Sequence, residues 1–74
     1  MSFSYGNLRE RILEKYGTLA KFADLLGMSR TTLSLKLNNF SSFTSDEISK
    51  ACELLDIEAL DIPKYFFCLK SSEN

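Results

Sequence analysis

Residues 44–55 read TSDEISKACELL, and no other stretch of the chain limits its fold as tightly. Thr44 followed three positions on by Glu47 makes a capping box. In that motif each side chain accepts a hydrogen bond from the other residue's backbone N–H at the start of a helix. Phe43 and Ile48 occupy the two hydrophobic-staple positions around the cap. Ile48, Ala51, Cys52 and Leu55 then recur at i, i+3, i+4 and i+7, an apolar stripe along one side of a helix.

The rest of the chain divides into further helical intervals at Gly6, Gly17, Gly27, residues 38–42 and Pro63. The first helix runs to about Tyr16, with Leu8, Ile12, Leu13 and Tyr16 on one face. Its start has two readings: Ser4 as cap with Phe3 and Leu8 as staple, or Asn7 as cap with Glu10 three positions on. A short second helix is capped by Thr18, points Phe22, Ala23 and Leu26 inward, and stops at Gly27. The third begins after Ser29, with Met28 and Leu33 at its staple positions. Strand-like alternation is absent before the tail. The expectation is an all-α fold, a compact bundle of four to five helices forming one domain over residues 1–74.

Composition excludes several classes of function. No apolar run nears the ~20 residues needed to span a bilayer, and no signal peptide opens the sequence, so a cytoplasmic address and no membrane partner are expected. Cys52 and Cys68 are far apart, and the chain has no His. A zinc site needs about four clustered N, S or O ligands, so neither a metal nor another cofactor is expected. Cys52, on the apolar stripe, reads as a small buried hydrophobe. With no His, no Gly-rich phosphate loop and no nucleophile with an evident base, neither an enzyme nor a small-molecule substrate is expected.

Charge is unevenly placed. Residues 1–43 carry six Lys and Arg against three Asp and Glu, whereas residues 44–74 carry three against seven. Within the basic half lies GMSRTTLSLKLNN, residues 27–39. With Leu33 inward and about 100° per residue, Thr31, Leu35 and Asn38 fall on the opposite side, with Ser34 beside them. Ser, Thr and Asn compete with the helical backbone for hydrogen bonds, so helix stability does not account for them there. Either the face is merely solvated, or it is shaped to make contacts.

The segment from Thr18 to Asn39 has short helix, tight turn and second helix in sequence, with Ala23 small at the helix crossing and Gly27 placed for a positive φ. FADLLGMSRTTLSLKLNN resembles the helix-turn-helix of the phage Cro and lambda-repressor family, most closely its small prophage-encoded members. The likeness extends through FTSDEISKACELLDI and covers roughly residues 4–57, with the motif itself at about 18–38. It implies a compact helical DNA-binding domain and a transcriptional regulator. Such a protein would bind double-stranded operator DNA as a homodimer and read the major groove with helix 30–38.

On that resemblance Arg30, Thr31, Ser34 and Leu35 are the expected base contacts. Hydroxyls and guanidinium groups bond base edges, and a Leu methyl can meet a thymine methyl. Thr18, Lys21, Ser29, Lys36, Asn38 and Asn39 are the expected phosphate contacts. Two positions depart from the family pattern. Leu19 stands where Gln is common, and Lys36 stands where an apolar residue is usual. Leu37 then takes the inward role, and Lys36 lays its stem along the protein and sends its ammonium to a phosphate. Arg9, Arg11 and Lys15 are expected to pair with Glu10 and Glu14 on the first helix.

Overall acidity and Leu19 favour an alternative: a protein-interaction module, such as an anti-repressor or accessory factor, built on the same bundle. The tail, residues 61–74, is also open. Asp61 could cap a turn containing Pro63, or Tyr65, Phe66, Phe67 and Leu69 could form an extended edge. The tail's aromatics either complete the core, with Phe66 or Phe67 as the plug, or pair two monomers.

Overall fold

The computed structural model describes residues 3–69. Five helices follow one another: α1 (Gly6–Tyr16), α2 (Leu19–Leu26), α3 (Arg30–Leu37), α4 (Ser45–Leu55) and α5 (Ile62–Phe66), with a 3₁₀ turn at Ala59–Asp61 before α5. The all-α expectation holds, and no strand forms among the described residues beyond one isolated antiparallel bridge between Phe3 and Leu69. Residues 1, 2 and 70–74, which include the end of the tail, lie outside the described residues.

Local signals fixed most helix ends. Thr44 accepts from the Glu47 amide at 3.1 Å while Glu47 accepts from the Thr44 amide at 2.9 Å, so the capping box is complete. Thr18 and Ser29 cap α2 and α3 through the Lys21 and Thr32 amides. Gly27 ends α2 at φ 85°, a left-handed conformation that a Cβ would strain. The start of α1 is different from both readings. Its cap is Tyr5, which makes no side-chain capping bond. The Ser4 amide instead donates to the Cys68 carbonyl at 2.7 Å, and Tyr5 is buried, so tertiary packing sets where α1 begins.

The core is built around Leu8, Ile12, Phe22, Leu33, Leu55 and Phe66, all fully buried. Leu37 takes the inward position at the end of α3, and Leu19 joins the core from the start of α2. Of the two conformations foreseen for the tail, the helical turn forms, though Asp61 makes no side-chain capping bond. The extended edge is reduced to a single bridge at Leu69, because Tyr65 and Phe66 belong to α5. Pro63 sits in the first turn of α5, and the chain then extends to pair Leu69 with Phe3. Phe66 is 1% exposed. Its ring meets Phe43 edge-on at 5.4 Å, and Phe43 meets Tyr5 at 5.3 Å. The tail therefore plugs the monomer's own core, as large aromatic area favours in a chain this short.

The basic residues of α1 do not pair along their own helix as expected. Arg11 Nε donates to the Leu55 carbonyl at 2.9 Å, and Lys15 forms an ion pair with Asp56. Both lie at the C-terminal end of α4, where free carbonyls and the helix dipole attract cations. Asp56 ends that helix in a left-handed conformation. The hydrogen bond and charge of Lys15 hold its carboxyl below the usual range.

Candidate interaction face of the second and third helices

Gly27, Met28 and Ser29 join α2 to α3, and the two helices pack against each other. Because Leu33 and Leu37 point into the core, the other side of α3 faces outward. Thr31, Leu35 and Asn38 are exposed there, Ser34 is half-buried beside them, and Arg30 is exposed in the first turn of the helix. Leu35 is 43% exposed. Thr18 and Lys21 are exposed on α2, and Ser29 is exposed at the start of α3. The capping hydroxyls have work of their own, since Ser29 Oγ also donates to Thr32 Oγ1 at 2.9 Å. Asn38 Nδ2 donates back to the Ser34 carbonyl at 2.9 Å.

Two of the expected phosphate contacts are corrected by the structure. Lys36 is only 8% exposed. Its ammonium donates to the Ser42 carbonyl at 2.8 Å, lies 3.1 Å from Glu47 Oε1, and sits over the Phe43 ring at 5.9 Å. The stem does run along the protein, but the charge is drawn inward to partners in the α3–α4 connection and α4. A buried ammonium needs such partners because desolvation is costly. Burial raises the Glu47 pKa. The Thr44 amide together with the hydrogen bond and charge of Lys36 more than offset that, and the carboxyl ends below its ordinary value.

Asn39 is the second correction. Its Oδ1 accepts from the Phe3 amide at 3.0 Å and its Nδ2 donates to the Phe3 carbonyl at 2.8 Å. Asn39 adopts φ 67°, the left-handed geometry that Asn tolerates after a helix. Its amide group holds the N-terminal segment against the end of α3 and is not free for phosphate.

One exposed residue next to α3 was not foreseen. Phe40 is 78% exposed just beyond α3, its amide donating to the Leu35 carbonyl at 2.9 Å. The available signal was its position between Asn39 and Ser41, in a turn with no helical stripe to bury it. With Lys36 withdrawn, Lys21 and Arg30 are the exposed cations of α2 and α3, and Leu35 and Phe40 are exposed apolar side chains. Among the described residues no group of three or more His, Cys, Asp or Glu is placed to hold a metal ion, and no helix is long and apolar enough to cross a membrane.

No curated protein matches this chain. Among solved structures it is similar to the solution structure of the modulator of repression of the temperate bacteriophage TP901-1 from Lactococcus lactis. Identity is 48%, the TM-score is 0.77, and the match covers 90% of each chain. The model of a family described as "Protein of unknown function (DUF739)" matches residues 1–68. The relationship found is thus to these proteins, while the likeness to Cro and lambda repressor remains one of motif. This chain belongs to the DUF739 family.

Proposed function

We propose that this protein is a phage-type regulatory module that modulates repression by binding a partner protein through the exposed side of α3. The inward-turned Lys36 carries the reading. A helix lying in a major groove draws much of its affinity from Lys and Arg at phosphates. Here the one cation in the second half of α3 is committed to Ser42 and Glu47. Leu35 and Phe40 instead offer apolar side chains of the kind that anchor protein interfaces. The name of the similar phage protein, a modulator of repression, supports the same reading. The partner it points to is a repressor encoded in the same phage or prophage region. The role is one of binding, not catalysis, in keeping with a chain that has no His.

A second reading is direct, sequence-specific binding of operator DNA by a homodimer in the host cytoplasm. It is favoured by Thr31 and Leu35 sharing the outward side of α3, with Arg30 exposed in its first turn. A salt series with random duplex and with the neighbouring repressor separates the two. The full chain is expected to bind the repressor, to lose it on Leu35→Asp or Phe40→Ala, and to show little affinity for duplex alone. A DNA-binding dimer neutralising about six phosphates would instead give a log K against log salt slope of about −5. That slope for the isolated chain would establish the operator reading.

A further inference from the structure

A second surface lies between α4 and the C-terminal turn. Ile48, Cys52, Ile57, Ala59, Ile62 and Phe67 line a groove of about 530 Å³ there. Phe67 is 49% exposed on its wall, and Leu60, 91% exposed, stands next in sequence to Ala59. Apolar area gathered in this way marks interaction sites more often than it decorates a monomer.

The rim gives the occupant its chemistry. Glu53 borders the groove, and Asp46 lies two helical turns earlier on the same side of α4. Glu58 and Asp61 are exposed in the turn that forms the opposite wall. Among the described residues none of these four carboxylates forms an ion pair, whereas Glu47 and Asp56 are matched by Lys36 and Lys15. Two cations lie nearby. Lys50 lies on α4 beyond the Asp46–Glu53 row, and Lys64 places its ammonium over the Tyr65 ring at 5.8 Å. The balance is still acidic around an apolar floor.

We propose that this groove docks a cationic protein segment, one that inserts large apolar side chains between α4 and the turn and sets Lys or Arg against Asp46, Glu53, Glu58 and Asp61. Helices with one apolar and one basic side fit such grooves, and the charges select partner and orientation. The site is separate from the outward side of α3, so it stands whichever reading of that face holds.

The test uses the isotopically labelled full chain and two synthetic helical peptides of about 14 residues. One is composed of Leu and Lys, and the other has Glu in place of every Lys. The Lys peptide is expected to shift the amides of Ile48, Cys52, Ile57 and Ile62. It should bind about tenfold more tightly than the Glu peptide at low salt, because several weak exposed ion pairs add. Glu53→Lys should narrow that preference, Ser49→Arg should block binding, and Thr31→Ala should change nothing. Both changed α4 positions are exposed, and an unchanged urea midpoint verifies that each variant folds. Equal affinity for the two peptides, or shifts confined to α3, would overturn the proposal. So would groove shifts that grow with protein concentration in the absence of peptide, since a second copy would then be the occupant.

Discussion

Lys36 and Glu47 link α3 to α4, with Nζ 3.1 Å from Oε1. The same oxygen accepts the Thr44 amide at 2.9 Å, so one carboxylate serves both a helix cap and a buried cation. The turn between the helices is held from inside by this pair and by the bond from Lys36 to the Ser42 carbonyl. Glu47→Gln keeps an acceptor for the cap but removes the charge facing Lys36. A loss of about 1–2 kcal/mol in urea unfolding is expected, discounted because Glu47 is partly in water. Adding Lys36→Met should recover part of that loss, because the cation left without its partner is then gone.

The same pair makes stability depend on acid pH. The folded pKa of Glu47 lies below its ordinary value of 4.5. Its contribution is therefore complete above pH 4.5 and disappears as pH falls through the lower folded value. Asp56, lowered by Lys15, acts in the same direction. Unfolding midpoints measured between about pH 6 and about pH 3 should fall for the parent and fall less for Glu47→Gln. Equal slopes for the two proteins would show that Glu47 is not the group responsible.

Phe66 tests the role of the tail. Replacing this fully buried ring with Ala should cost about 3–5 kcal/mol, with an effect independent of protein concentration. Truncation after Asp61 removes Phe66 together with the Phe3–Leu69 bridge and should cost at least as much. A truncated chain as stable as the parent but altered in oligomeric state would place the tail's aromatics in an interface instead.

Asn39 offers a more local test. Asn39→Ala removes both hydrogen bonds to Phe3 and puts a Cβ-only side chain at φ 67°. The expected cost is about 1–3 kcal/mol, together with faster hydrogen exchange at the Phe3 amide. If Asn39 served phosphate and not the N-terminal segment, exchange at Phe3 would be unchanged.

Local chemistry alone was enough for the helical frame. The Thr44–Glu47 box, the caps at Thr18 and Ser29, the stop at Gly27 and the stripe from Ile48 to Leu55 each act over four to eight residues, and all appear in the structure. The outward placement of Thr31, Leu35 and Asn38 follows from helical period once Leu33 is inward, so it too was legible. What each exposed or charged group does was decided elsewhere. Lys36 turned inward because Ser42, Phe43 and Glu47 come together only when the α3–α4 connection brings the first turn of α4 back to the end of α3. Arg11 and Lys15 left their own helix for the C-terminal end of α4, 41 to 45 residues away in sequence. The start of α1 was set by Tyr5 packing and by the Ser4 bond to Cys68, not by a cap. Periodicity and capping are carried by neighbours along the chain, and one sequence suffices to read them. The partner of a long, flexible, charged side chain is whichever opposite charge or open carbonyl the tertiary fold brings within reach, and that depends on the packing of the whole bundle.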